Sequence, residues 1–133
     1  MDDASHAFEA LIEAHIAADS SPQARVRRVV SAILDDPAGP HDVRSLAERA
    51  AMSPRTLSRA FRRATGTSPA RFVEDARLRL ARLLLERGGV RVASAAARAG
   101  FQNAERMRRA FHRRLGASPA RLAQSTGSAT TRR

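Results

Sequence analysis

MSPRTLSRAFRRATGTSPARF, Met52 to Phe72, is answered later in the chain by FQNAERMRRAFHRRLGASPARL, Phe101 to Leu122. Aligned on Phe61 and Phe111, the copies match Arg59 with Arg109, Ala60 with Ala110, Gly66 with Gly116, Ser68 with Ser118, Pro69 with Pro119 and Arg71 with Arg121. Upstream the spacing is one residue shorter, pairing Val43 with Val92, Ser45 with Ser94 and Ala47 with Ala96. The extra residue falls between Met52/Phe101 and Leu57/Met107, and insertions are tolerated in turns rather than inside helices. Each copy therefore reads as two short helices around a turn. Two copies are too few to bury a stacked solenoid core, so duplicated small units are the better description.

Helix punctuation extends the reading outward. Ser21-Pro22 joins an N-cap to a proline at the first helical position and opens a helix carrying Val26, Val29, Val30, Ile33 and Leu34, which Asp36-Pro37 and Gly39-Pro40 end. Asp42 caps a short helix with Val43, Leu46, Ala47 and Ala50 inward. Ser53-Pro54 opens the next, to about Ala64, with Leu57, Ala60 and Phe61 inward; the order is helix, turn, helix. After Gly66, Ser68-Pro69 starts the longest helix, residues 69–87, which spans about 28 Å at 1.5 Å per residue. Its Phe72, Val73, Ala76, Leu80, Leu83 and Leu84 form a broad apolar surface, widened by Leu78, Ala81 and Leu85, until Gly88-Gly89. The second unit places Val92, Ala95, Ala96 and Ala99 on a short helix and Gly100-Phe101 at the turn. A further helix runs from about Asn103 to Arg114 with Met107, Ala110 and Phe111 inward; Gly116 stops it and Ser118-Pro119 begins a last turn.

The expected fold is all-α: two helix-turn-helix subdomains, residues 21–67 and 89–123, joined by a long linker helix over 68–88. An extra acidic amphipathic helix occupies 1–20, and the polar tail QSTGSATTRR, 124–133, is expected to be disordered. In the N-terminal segment Phe8, Leu11, Ile12 and Ile16 share one helix face. That face either packs on the rest of the protein, forms a dimer contact, or is the edge of a larger protein.

Among 133 residues there are 24 basic and 13 acidic side chains, a net charge of +11, which points to a polyanionic partner. The first 20 residues hold five of the carboxylates and no arginine, so the positive charge is concentrated in the remainder. Every basic residue is Arg. Codon bias toward GC-rich codons accounts for most of the missing Lys, yet guanidinium is also the group suited to bidentate contact with guanine and phosphate. The absence of Cys excludes disulfides and thiolate chemistry. There is neither a signal-peptide pattern nor an apolar run of spanning length, so no membrane partner is expected and the cytoplasm is the expected location. His6, His15, His41 and His112 are scattered, and no Gly-rich phosphate loop or acid pair of catalytic type occurs. No catalytic residue, metal or cofactor is therefore expected. Asp35-Asp36 and Glu74-Asp75 read as surface charge pointing to different helix faces.

The N-terminal part of the second helix in such a unit faces base edges. Base readout is expected from Arg55, Thr56, Ser58 and Arg59 in the first unit and from Ala104, Glu105, Arg106 and Arg109 in the second. Ser53, Arg62, Arg63, Arg108, Arg113 and Arg114 are expected at phosphates. Glu105 has two uses open to it, accepting from cytosine N4 or complementing its helix N-terminus. A connector of about 28 Å approaches the roughly 34 Å between successive major-groove faces. Double-stranded DNA is thus the expected partner, bound by one chain at an asymmetric site. The alternative is a non-specific basic nucleoid or RNA-binding protein, although five Phe with no Trp or Tyr leave little for stacking single-stranded RNA.

From about Arg25 to Leu122 the sequence resembles the DNA-binding domain of the AraC/XylS family of bacterial transcription regulators. The resemblance is carried by Leu46-Ala47, Ser53, Leu57, Arg59, Phe61, Gly66, Ser68-Pro69, Phe72, Arg77-Leu78, Ala81 and Leu84-Leu85. In the second half it is carried by Val92, Ala95-Ala96, Gly100-Phe101, Met107, Arg109, Phe111, Gly116 and Ser118-Pro119. It implies seven helices, promoter binding with contact to RNA polymerase, and a nucleoid-associated place in a bacterial cytoplasm. Glu105 stands where the family usually has Ser or Thr, Phe72 and Leu122 where Tyr is common, and Ala95 where Ile is common; a looser second lobe is expected. GFQNAERMRRAFHRRLGASP is similar to the branch whose regulators carry an amidotransferase-like sensor domain upstream. No such domain fits in 133 residues, which leaves an excised domain and a stand-alone protein as alternatives.

Overall fold

The computed structural model describes residues 6–12, 21–119 and 121, and its regular elements are all helical. Helix α1 comprises residues 6–12 as described. It is followed by α2 (Pro22–Asp35), α3 (Val43–Arg49), α4 (Pro54–Thr65), α5 (Pro69–Arg87), α6 (Val92–Ala99) and α7 (Ala104–Leu115). Ile16, Leu122 and the tail 124–133 lie outside the described residues.

Among α2 to α7, five helix starts are set by side-chain caps. Ser21, Asp42, Ser53, Ser68 and Asn103 each accept from the backbone N–H three residues on, at 2.8–3.2 Å, which satisfies donors that the helix itself leaves unpaired. Arg91, at the start of α6, makes no side-chain cap.

Apolar side chains form two clusters, and α5 serves both. Val26, Val29, Ile33, Leu46, Leu57 and Phe61 gather around Val73 and Ala76 in the first. Ala95, Ala96, Ala99, Met107, Ala110 and Phe111 gather around Leu78, Ala81, Leu84 and Leu85 in the second. The edge of one Phe61/Phe72 ring meets the face of the other at 5.4 Å and 76°, a geometry that adds about 0.5–1.5 kcal/mol to burial and ties α4 to α5. The second lobe is not loose in its burial, since Ala95, Met107 and Phe111 are 0% exposed. Small side chains on α6 let it lie close against α5.

Two leucines expected inside are outside: Leu34 is 54% and Leu83 52% exposed. Each adjoins a buried residue, Ile33 or Leu84, and the step of about 100° to the next residue on a helix carries it off the packed stripe. The apolar face of α1 is uncovered as well, with Phe8 and Leu11 exposed.

The turns show where the inserted residue went. Met52 N–H donates to the Ala47 carbonyl and Phe101 N–H to that of Ala96, matching bonds in the two units, whereas the N-caps are Ser53 and Asn103. The extra residue is therefore Gln102. Within these turns Ala51 and Gly100 hold matching left-handed positions, φ 53° and 98°. The Arg25 guanidinium donates to the carbonyls of Ala50 and Ala51 at 3.3 and 3.1 Å, fastening α2 to the first turn.

A second junction joins the units to each other. Half-buried Arg77, mid-way along α5, donates from Nε to the Pro37 carbonyl and from Nη2 to that of Gly39, both at 2.9 Å. A Cβ placed on Gly100 would lie 2.6 Å from Ala38 Cα, so the loop after α2 packs directly on the turn of the second unit. His41, buried in the same loop, holds it with Nε2 at 2.6 Å from the Asp36 carbonyl and Nδ1 at 3.2 Å from Arg49 Nη2.

Candidate nucleic-acid interface

Helix α4 is seated by Leu57 and Phe61, each 0% exposed, and their 3.6-residue periodicity decides what faces out. Arg55, Thr56, Arg59, Arg62 and Arg63 are exposed and Ser58 is half-buried. The Ser53 hydroxyl donates to Thr56 Oγ1 at 2.8 Å and accepts from Thr56 N–H at 3.1 Å. Both hydroxyls are thus fixed at the helix start, next to Arg55. Arg55 and Arg59, one turn apart, share a face.

Helix α7 is seated by Met107, Ala110 and Phe111 and presents Glu105, Arg106, Arg108, Arg109 and Arg113 to solvent. Arg106, Arg109 and Arg113 form a stripe along one wall of an open cleft of about 400 Å³. Its other side is made by Ala70, Val73, Glu74 and Arg77 of α5, with Gly100, Phe101 and Gln102 between. Burial lowers the Arg77 guanidinium from its ordinary value, but an arginine stays charged across the accessible pH range, so the cleft holds four permanent cations.

Two expectations, one on α7 and one on α5, are revised by position. Ala104 is half-buried and packs against the second cluster, which turns its methyl inward, away from base edges. Glu105 keeps the first-turn place that complements its helix N-terminus, and it also reaches Arg108 at 3.3 Å and Arg109 at 3.4 Å. Glu74 and Asp75 are not idle surface charge: they meet Arg113 at 3.0 Å and Arg114 at 2.7 Å. Adjacent residues on α5 lie about 100° apart, yet both carboxylates reach α7 because Arg113 and Arg114 diverge by the same step. These cross-helix pairs, and Arg77, were missed by sequence reasoning. Gln102 had a signal, the one-residue change in repeat spacing.

Superposing the two units residue by residue sets Arg59 opposite Arg109 and Arg55 opposite Glu105. The first reading helix thus carries an arginine pair one turn apart, and the second an acid–base pair bonded to itself. The two outward faces therefore differ in their arrangement of charge.

Elsewhere on the surface, no helix among the described residues is long and apolar enough to cross a membrane. The described residues hold no group of three or more His, Cys, Asp or Glu able to bind a metal ion.

Comparison with known proteins agrees with this architecture. Residues 46–125 match a family described as a helix-turn-helix domain. An HTH-type transcriptional regulator of Mycobacterium tuberculosis is 49% identical over 70 residues, 53% of this chain; the match spans 27% of that relative's length. Among solved structures, the DNA-binding domain of the global transcriptional factor AdpA, in complex with a target DNA, is 36% identical with a TM-score of 0.72. That match covers 81% of this chain and 95% of the other. A probable AraC family transcriptional regulator from Rhodopseudomonas palustris is 29% identical with a TM-score of 0.67, covering 77% and 96%.

Proposed function

The chain belongs to the AraC-type helix-turn-helix family, and on that premise we propose that it binds double-stranded DNA in a sequence-specific manner to regulate transcription. The observation that carries the reading is the pair of outward arginine faces on α4 and α7, each on the second helix of a unit and both braced on one α5. The DNA complex of the AdpA domain, a chain of like fold, supports it.

In this reading α4 enters one major groove and α7 the next. Arg55, Thr56, Ser58 and Arg59 face base edges in the first, and Arg106 and Arg109 in the second. Ser53, Arg62 and Arg63 meet phosphates beside the first groove. The basic cleft between α5 and α7 offers a seat for the backbone separating the grooves. Because Arg55 and Glu105 occupy matching places, the site is asymmetric. The protein works without catalysis, in the cytoplasm, and contact with RNA polymerase and with an upstream sensor domain belongs to the same proposal.

Selection of sites from a random duplex pool tests the reading. One asymmetric consensus with two half-sites about one helical turn apart is expected. Arg59→Ala should then relax the sequence preference at one half-site by about 1–3 kcal/mol per base pair contacted and leave the other unchanged. If random duplex competes as well as any selected site at moderate salt, the protein is a non-specific basic binder instead.

A further inference from the structure

Both reading helices are rich in arginine but hold it differently. Among the described residues, none of Arg55, Arg59, Arg62 and Arg63 on α4 has a carboxylate within ion-pairing distance. On α7, Arg108 and Arg109 share Glu105, Arg113 is held by Glu74 and Arg114 by Asp75, at 2.7–3.4 Å. Arg106 is the one α7 arginine without such a partner among the described residues.

Two of these carboxylates belong to another helix, 39 residues earlier in the chain, so local helix formation does not account for them. Exposed pairs of this kind add little to stability. Their larger effect is on an approaching phosphate. Beside α4 it meets bare guanidinium groups, whereas beside α7 it must displace a tethered carboxylate and leave that charge next to the duplex. A tethered carboxylate also replaces a mobile counter-ion, so the exchange gains less from salt release than a free arginine would.

We propose that Glu74, Asp75 and Glu105 are specificity-determining counter-ions that withhold Arg108, Arg109, Arg113 and Arg114 from non-cognate duplex. The proposal rests on the double-stranded DNA reading above. Non-specific affinity is almost wholly phosphate electrostatics, so internal pairing on α7 lowers it. A matched site docked on α4 presents phosphates to Arg108, Arg113 and Arg114 and base edges to Arg109 in fixed geometry, and competes for these arginines far better. The second unit thereby engages DNA only where the first has found its sequence.

The test compares the full chain with E74Q/D75N and, separately, E105Q, on a selected site and on a scrambled duplex of equal length across a salt series. E105Q breaks no contact between helices and keeps the test decisive if the double variant unfolds. E86Q, which frees Arg82 near the far end of α5 and changes net charge by the same amount as E105Q, is the control. Each pair released should tighten binding to scrambled duplex by about two- to fivefold, with a smaller gain on the selected site. The salt slope should steepen by up to about one per arginine freed, with E86Q unchanged. Equal gains on both duplexes, a gain no larger than that of E86Q, or no gain overturns the proposal while leaving the DNA reading intact. If the unaltered chain prefers no duplex over scrambled, the DNA reading itself has failed and this inference falls with it.

Discussion

Ala51 takes a left-handed turn position, φ 53°, at the place where the second unit has Gly100, φ 98°. A Cβ in that region costs about 1–2 kcal/mol, partly offset because glycine loses more freedom on folding. Ala51→Gly should therefore raise stability by about 0.5–1 kcal/mol in urea denaturation. Gly100→Ala should lower it by more than the mirror-image amount, since the new methyl meets Ala38 Cα at 2.6 Å. Asp42 provides a second residue-level test. The Ser45 hydroxyl and backbone N–H both donate to its carboxylate, at 2.6 and 3.2 Å, and hold its pKa below the ordinary carboxylate value. A folded-state pKa below the unfolded one means that its contribution is complete above the unfolded value and disappears as pH falls through the folded one. Asp42→Asn keeps an acceptor for the cap but cannot titrate. Its stability should thus fall less steeply than that of the parent on acidification below about pH 4, measured by circular dichroism; parallel curves would assign the acid sensitivity to another group.

Elements were largely legible before the structure because their starts are written locally. Ser21, Asp42, Ser53 and Ser68 stand just ahead of α2 to α5 and act as their caps, and glycines 66, 88, 100 and 116 end α4 to α7. The outward faces of α4 and α7 followed from the positions of Leu57, Phe61, Met107 and Phe111. Partners of those outward side chains were not legible, since the Glu74–Arg113, Asp75–Arg114 and Arg77–Pro37 contacts join residues 39 or 40 apart, and periodicity carries no record of such separations. Nor does it tell how wide a stripe the neighbouring helix will cover, which is why Leu34 and Leu83 were placed inside. Helix α6 departs from its counterpart α3 in lacking a side-chain cap, with Arg91 where α3 has Asp42. Arg91→Asp should supply one and raise the free energy of unfolding by about 1 kcal/mol; a thermal melt without an upward shift would show that the α6 start is already satisfied another way.

For the whole molecule, the decisive contacts are those between units. Arg77→Met keeps an apolar stem while removing the donors to the Pro37 and Gly39 carbonyls, and should cost about 1–3 kcal/mol in stability. Provided that two half-sites are read, it should also loosen their spacing: one inserted base pair should penalise binding by the parent more than by Arg77→Met, as judged by competition titration. Equal penalties would mean that the joint is held without Arg77. The closeness of Ala38 to Gly100 carries that thought further. A joint with no room for a methyl group resists torsion, and each base pair of spacer turns the far half-site by roughly 35° around the duplex axis. Mismatch in helical phase must then be absorbed by the DNA, through twisting and kinking at its pliable pyrimidine–purine steps. Spacer positions that no side chain touches would in this way acquire a sequence preference, imposed by the stiffness of the protein rather than by its chemistry.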